Sequence, residues 1–522
     1  VLFRSDGGNG RGNYCVMNPL DKYSNVTVTN GNLDCTFSAY TGFIRASFAL
    51  PSTGKWYWEG TVPTSDPRAE FGIATLSQSL GVDPQGASGC WLWYSNGTNS
   101  YKYNGSGTSW GTAWASGDTI GIAFDADAGT LTYYKNGALQ GGGAAFTGLT
   151  GTYAPMVGFG NNTSTAISSN FGQRPFAYTP PTGFKALNTQ NLPEPTIKNG
   201  NQYFDVLTYT GTGGTRTLTG LSFQPDMIWS KTRSLAYNHT VLDSIHGVGT
   251  SSDSNSLVTN NTEAEGWSSP NFGYLSSFNS DGVTFTAGST SNDQYNQSSA
   301  TYVQWNWKES VTAGFDIVTY TGNGSTQNVA HSLGVAPKMM IIKSRSNTSD
   351  WIVYHSSLSS AAYRLFLNAT NSQDNSTTTW NSTAPTSSVF SLGTNANVNS
   401  STWTYVAYLF AEVAGFSKFG SYTGNGSADG PFVFTNMKPR WVMLKRTDST
   451  SDWLIIDTSR DTYNVATKRL YPNLSDAEGV SGNILDSLSN GFKFRSANWN
   501  ISGGTYIFAA FAENPFKHSL AR

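Results

Sequence analysis

Tyr320-Thr321-Gly322-Asn323-Gly324-Ser325 decides how this chain is built, because the phrase occurs three times. Its counterparts are Tyr209-Thr210-Gly211-Thr212-Gly213-Gly214, 111 residues earlier, and Tyr422-Thr423-Gly424-Asn425-Gly426-Ser427, 102 residues later. A proline and an apolar run follow each copy: Pro225-Asp226-Met227-Ile228-Trp229, Pro337-Lys338-Met339-Met340-Ile341 and Pro439-Arg440-Trp441-Val442-Met443. Further on, Asp350-Trp351-Ile352-Val353 answers Asp452-Trp453-Leu454-Ile455, and Asn238-His239-Thr240-Val241 stands more loosely in the first copy. Each copy closes on an aromatic strand, Tyr302-Val303-Gln304-Trp305, Tyr405-Val406-Ala407-Tyr408 or Tyr506-Ile507-Phe508-Ala509. Repeats of about 105 residues are too long for solenoid units and long enough to fold as domains. The expected boundaries are 196–310, 311–413 and 414–522.

Composition fits this reading. The 522 residues suffice for several domains, each with a core. Only 12% are charged, against roughly 25% in ordinary globular proteins. Aromatics at 14% supply core material and exclude simple disorder. A net charge of −2 gives little pull on nucleic acid or anionic membranes. No apolar run approaches the ~20 residues that cross a bilayer. Cys15, Cys35 and Cys90 are odd in number, so buried packing is expected, with a single Cys15–Cys35 bridge as the alternative. Val1-Leu2-Phe3-Arg4-Ser5 back-translates to the end of a common sequencing adapter, so a chain cut short at its N-terminus is expected.

Residues 14 to 190 alternate apolar and polar positions in short runs broken by Gly, Asn and Asp. Thr119-Ile120-Gly121-Ile122-Ala123-Phe124-Asp125 and Leu131-Thr132-Tyr133-Tyr134-Lys135 read as a hairpin, and Asn136-Gly137 signals a type I′ turn. The expected fold class is all-β, with an N-terminal antiparallel sandwich (1–190) and three tandem sandwich-like repeats. Asn188 to Asn201, with Pro193 and Pro195, reads as a stiff linker.

Four blocks carry a family resemblance. Gly54-Lys55-Trp56-Tyr57-Trp58-Glu59, Gly117 to Asp125, Gly129 to Gly137 and Tyr153-Ala154-Pro155-Met156-Val157 together resemble a SPRY domain. The resemblance implies a concanavalin A-like sandwich that binds through its loops and performs no chemistry. The tail Asn170 to Phe176 with Pro180 to Phe184 resembles SPRY-like domains in bacteriophage structural proteins, and the three repeats, with the closing Phe511-Ala512-Glu513-Asn514-Pro515-Phe516-Lys517, resemble the repeated β-domains that accompany such modules in tail or virion proteins, notably those of marine phages.

Catalysis finds little support. Glycosidases on sandwich folds need paired carboxylates on one strand face. The best pair, Asp125 and Asp127, falls in the hairpin turn, where aspartate caps backbone. No calcium loop completes itself after Gly129, the five histidines show no pairing with cysteine for zinc, and no nucleophile elbow or phosphate cradle appears. No enzyme, cofactor or metal is therefore expected. Binding would show in aromatics. Trp91, Trp93, Tyr94, Tyr101, Tyr103, Trp110 and Trp114 crowd one stretch studded with Gly, Ser and Asn. Trp91, Trp93, Tyr101 and Tyr103 also fit alternating strand residues, whereas Trp110 and Trp114 flank Gly111-Thr112-Ala113 and read as loop.

The resulting expectation is a non-enzymatic virion protein, a tail fibre or tail-associated adhesin that binds host-surface polysaccharide or a receptor. Its partners would be other virion subunits, with a homotrimer in view. The alternative is a purely structural capsid-decoration or head-fibre protein; a third reading, a glycan depolymerase, needs converging carboxylates.

Overall fold

The computed structural model describes residues 12–64, 66–159, 166–266, 269–290 and 293–519. The Val1 to Ser5 stretch lies outside the described residues. The strand Phe432–Phe434 aside, the chain parts into two compact units between Glu194 and Pro195, inside the expected linker.

The first unit is a sandwich of two antiparallel sheets, as the alternation requires. One sheet runs Met17–Lys22, Phe43–Ala46, Tyr153–Gly158, Ala69–Thr75, Cys90–Ser95, Ser100–Tyr103, Gly107–Ser109. The other runs Ala138–Leu139, Thr130–Lys135, Thr119–Asp125, Lys55–Thr61, Ile167–Asn170, Asp34–Phe37, Val26–Thr29. Thr119–Asp125 pairs with Thr130–Lys135 in the expected hairpin, and Asn136 and Gly137 take φ of 48° and 79° in the turn after it. Asp125 Oδ1 accepts the N–H groups of Asp127 and Ala128, and Asp127 Oδ1 accepts that of Gly54. Both aspartates therefore serve the turn. All three cysteines are buried and unpaired, and burial pushes each thiol up to about 12.

In the second unit every repeat builds the same four-strand antiparallel core: opening strand, closing aromatic strand, proline strand, Asp-Trp strand. These are Phe204–Thr210, Thr301–Trp307, Met227–Thr232 and Thr240–Asp243 in repeat 1. Repeat 2 uses Phe315–Thr321, Thr404–Phe410, Met339–Ser344 and Ile352–His355. Repeat 3 uses Ser417–Thr423, Thr505–Pro515, Met437–Arg446 and Trp453–Asp457.

The repeated phrase has a structural cause. Its tyrosine stacks on the first tyrosine of the closing strand, Tyr209 on Tyr302 at 4.9 Å, Tyr320 on Tyr405 at 5.1 Å and Tyr422 on Tyr506 at 4.8 Å. The first glycine runs against backbone: a Cβ on Gly211, Gly322 or Gly424 would stand 2.0, 2.1 or 2.1 Å from the carbonyl of Gln297, Ser400 or Ile501. A buried asparagine clamps each turn. Asn296, Asn399 and Asn500 accept the N–H of Thr212, Asn323 and Asn425 at 2.9, 2.9 and 2.7 Å.

The three repeats close into a ring with near-threefold symmetry. The N–H of Glu265 donates to the Arg345 carbonyl (2.9 Å), Gln373 to Thr447 (2.9 Å) and Glu478 to Arg233 (2.7 Å), linking repeats 1 to 2, 2 to 3 and 3 to 1. Trp351 Nε1 donates to the Val258 carbonyl and Trp453 Nε1 to that of Phe366, both at 2.8 Å. His239 takes their place in repeat 1, where the Tyr471 main chain faces its ring. On the axis, Trp307, Phe410 and Phe511 form a triangle with ring centres 6.3, 5.8 and 5.7 Å apart. Met227, Met339 and Trp441 line the same apolar centre. Repeats 1 and 2 each keep a core of their own, around Leu242 and Phe285 and around Ile352 and Phe390, and the apolar centre on the axis joins the repeats into one unit.

Candidate functional site

Strand register sorts five of the seven candidate aromatics into two faces; Trp110 and Trp114 lie on the loop after Gly107–Ser109. In an antiparallel pair, residues directly opposite each other point to the same side. Phe71 stands opposite Trp93 and Ile73 opposite Trp91, so both tryptophans point between the sheets. Glu70 stands opposite Tyr94, Tyr94 opposite Tyr101 and Leu92 opposite Tyr103, so the tyrosines lie on the other face of the sheet, where Tyr94 and Tyr103 pack at the edge of a second apolar cluster around Phe43, Cys90 and Leu92.

The tryptophans build core. Trp93 is fully buried, its Nε1 donates to Ser100 Oγ at 2.7 Å, and its ring centre lies 4.5 Å from Trp114 and 5.4 Å from Trp110. Trp114 is 1% exposed and donates to the Pro67 carbonyl at 2.6 Å. The expected loop position of Trp114 is real, but its ring turns inward; Gly111, at φ 68°, folds the segment back over Trp93. Half-buried Trp110 packs against Tyr133 at 5.9 Å, and half-buried Trp91 against Tyr153 at 5.1 Å. Trp93 and Trp114 are therefore corrected from ligand-binding residues to core residues.

Tyr94, Tyr101 and Tyr103 are half-buried together, with centroids 6.3 Å apart for Tyr94–Tyr103 and 6.0 Å for Tyr101–Tyr103. Glu70, in their row, is fully buried, a residue the sequence reading missed. An acid flanked by Ala69 and Phe71 in an otherwise apolar strand was the available signal. Glu70 Oε1 accepts from Gln85 Nε2 at 2.6 Å, whereas Oε2, against Gly158 and Pro84, has no hydrogen-bond partner among the described residues. Burial pushes the Glu70 carboxyl up to about 8, with nearby Asp83 adding to it and the Gln85 bond opposing it. Burial and the nearby Glu70 charge raise Tyr94 to about 12. Tyr103 is raised by burial first, then by Tyr101, Glu70 and Asp83.

The arrangement offers ring faces and carboxyls, with the buried Cys90 thiol in the field of Glu70. Among the described residues, no group of three or more His, Cys, Asp or Glu side chains is placed to hold a metal, and no helix is long and apolar enough to cross a membrane.

Residues 55–174 match the SPRY domain family, and residues 199–515 match the family described as Domain of unknown function (DUF7483). Ran-binding protein 10 of Danio rerio is 26% identical over 169 residues, which cover 31% of this chain and 28% of that protein. Ran-binding protein 9 of Mus musculus is 25% identical over 169 residues, 31% of this chain and 25% of that protein. The chain thus spans under a third of the length of these relatives. The SPRY domain of human HERC1 is 18% identical, covers 30% of this chain and 99% of its own, and superposes with a TM-score of 0.27.

The animal Ran-binding relatives overturn the expectation of a bacteriophage virion protein. The tail-fibre adhesin, the capsid-decoration or head-fibre alternative, partners among virion subunits or host-surface polysaccharide, the trimeric fibre and the virion location fall with it. The residues behind that expectation, the repeats and the closing Phe511 to Lys517 segment, instead build a ring within one chain. With residues 55–174 forming a SPRY domain ahead of this ring, the chain belongs to the family described as Domain of unknown function (DUF7483).

Proposed function

We propose that this chain is a non-catalytic protein-recognition molecule whose SPRY sandwich holds a polypeptide partner on the face of Tyr94, Tyr101 and Tyr103. The observation that carries the reading is the placement of three half-buried tyrosines together on one sheet face, while Trp93 and Trp114 are buried in the core. Tyrosine suits such a face, since it offers a rigid, amphipathic contact with few rotamers to freeze. The names of the similar Ran-binding proteins support a protein as the class of ligand. Asp125 and Asp127, the best candidates for acid–base work, are used by the turn that holds them, which supports a role without catalysis.

The test is selection from a yeast-displayed random peptide library by the full chain and by a Tyr94→Ser/Tyr101→Ser/Tyr103→Ser variant. Enriched sequences that the variant no longer retains support the reading. Equal enrichment by both proteins sinks it.

A further inference from the structure

We propose that the tyrosine face receives the cationic side chain of a basic peptide, resting it on the rings of Tyr94, Tyr101 and Tyr103 beside the carboxyl groups of Glu70 and Asp83. The inference rests on the protein-recognition reading and names the chemistry of the partner.

The first ground is ring chemistry. The face of an aromatic ring is electronegative, and it attracts an ammonium or guanidinium group within about 6 Å. Along two adjacent strands the Tyr103 ring lies 6.3 Å from that of Tyr94 and 6.0 Å from that of Tyr101. The second ground is charge. The cations on or beside these strands have carboxylate or carbonyl partners of their own, and of Arg45, Arg68 and Lys102 only the Arg68 charge also reaches Tyr94. Arg45 is buried against Asp21 with a bidentate pair at 2.7 and 2.9 Å. Arg68 makes its own bidentate pair with Asp66, both bonds at 2.9 Å. Lys102, between the two tyrosines of its strand, points to the opposite side, where Nζ donates to the Ala145 carbonyl at 2.7 Å and lies over the Phe146 ring. The acids are not so neutralised: Asp83 is exposed and caps the short turn Pro84–Gly86, and Glu70 Oε2 lacks a partner. A face of rings beside the exposed Asp83 carboxylate complements a positive charge, and the buried Glu70 carboxyl can ionise when one arrives.

The third ground is linkage. Since burial holds Glu70 mostly protonated below about 8, a cation placed in its field draws that proton off. Binding then releases a proton, and affinity rises with pH through the range below about 8.

The probes are four decapeptide amides of Gly and Ser carrying two Lys, two Arg, two norleucine or two Glu residues, titrated into the full chain. The Lys and Arg peptides are expected to bind about tenfold tighter than the norleucine peptide, the size of one cation–ring contact. Glu70→Gln mimics the neutral acid and keeps the fold; it is expected to remove most of that preference and flatten the rise in affinity between pH 6 and 8. Tyr101→Ala is expected to weaken the Lys and Arg peptides about tenfold. If all four peptides bind equally and Tyr101→Ala releases them all, recognition at this face stands and the cation proposal is overturned. If no peptide responds to Tyr101→Ala, or none binds, the reading of the face falls and takes the proposal with it. A preference for Lys and Arg that survives Glu70→Gln with its pH dependence intact also overturns the role given to Glu70.

Discussion

Asn399 shows how much one side chain carries in this fold. Its Oδ1 accepts from Asn323 N and Gln327 Nε2, and its Nδ2 donates to the carbonyls of Ser325 and Gly393. Asn399 is fully buried while Asn323 and Ser325 lie at the surface, so Asn399→Ala leaves chiefly the Gly393 carbonyl unmet and should cost about 2 kcal/mol, read as a lowered midpoint in urea. Asn399→Asp should be at least as damaging, because a carboxylate cannot donate to the two carbonyls. His355 makes a different kind of test. Its Nδ1 accepts from Ser357 N at 3.1 Å, and Nε2 lies 3.1 Å from the Phe508 carbonyl, an arrangement that suits the neutral ring. Burial lowers it from the usual 6.5 to about 4, against the raising effect of the Phe508 bond. The unfolded chain therefore takes up the proton first as the pH falls. His355 should contribute its full stability above about pH 6.5 and lose it toward pH 4, by about 3 kcal/mol at most. Thermal melts of His355→Asn should show a shallower fall between pH 7 and 4.5 than the parent; parallel curves would count against this account.

At the scale of elements, the three boundaries of the ring are one design in three chemistries. Between repeats 3 and 1, fully buried Arg460 joins Asp457 and Glu478, Arg233 holds Glu478, and Trp305 Nε1 donates to Asp457. Between repeats 1 and 2 the corresponding groups are Asp243, His246, Glu265, Arg345 and Tyr408. Between repeats 2 and 3 they become His355, Leu358, Gln373 and Thr447, with no ion pair among these four described residues. Arg460→Leu alone strands the Asp457 carboxylate and should destabilise by about 3–5 kcal/mol. Adding Asp457→His copies the neutral boundary and should recover part of that loss, a non-additivity that denaturant titration of the two variants would measure.

The repeats, the strand alternation and the hairpin at Asn136-Gly137 were legible because each is periodic or local. The ring was not. Trp351 and Trp453 read as structural residues at matched positions, yet their partners, Val258 and Phe366, sit in neighbouring copies and follow no period. The site was half legible: Tyr94, Tyr101 and Tyr103 were among the candidates, but which face of the strand looked outward depended on its register with Glu70.

For the whole molecule, a shared axis means shared fate. Trp307, Phe410 and Phe511 each bury against the other two repeats, so a shared centre joins the cores that repeats 1 and 2 keep for themselves. Residues 195–522 should melt in one transition, with calorimetric and van't Hoff enthalpies equal, and residues 311–413 by themselves, which keep their own core but expose Met339 and Phe410, should melt at a lower temperature than the whole unit. Three separate transitions would refute this. A closed ring also has no privileged beginning. Phe204 and Phe511 lie 5.2 Å apart, and a Cβ on Gly200 would stand 2.6 Å from the Ala512 carbonyl, so the first and last strands of the unit are already neighbours. The order in which the gene presents the repeats is then a convention of the reading frame: stitched across that junction and opened between repeats 1 and 2, a circular permutant should assemble the same body.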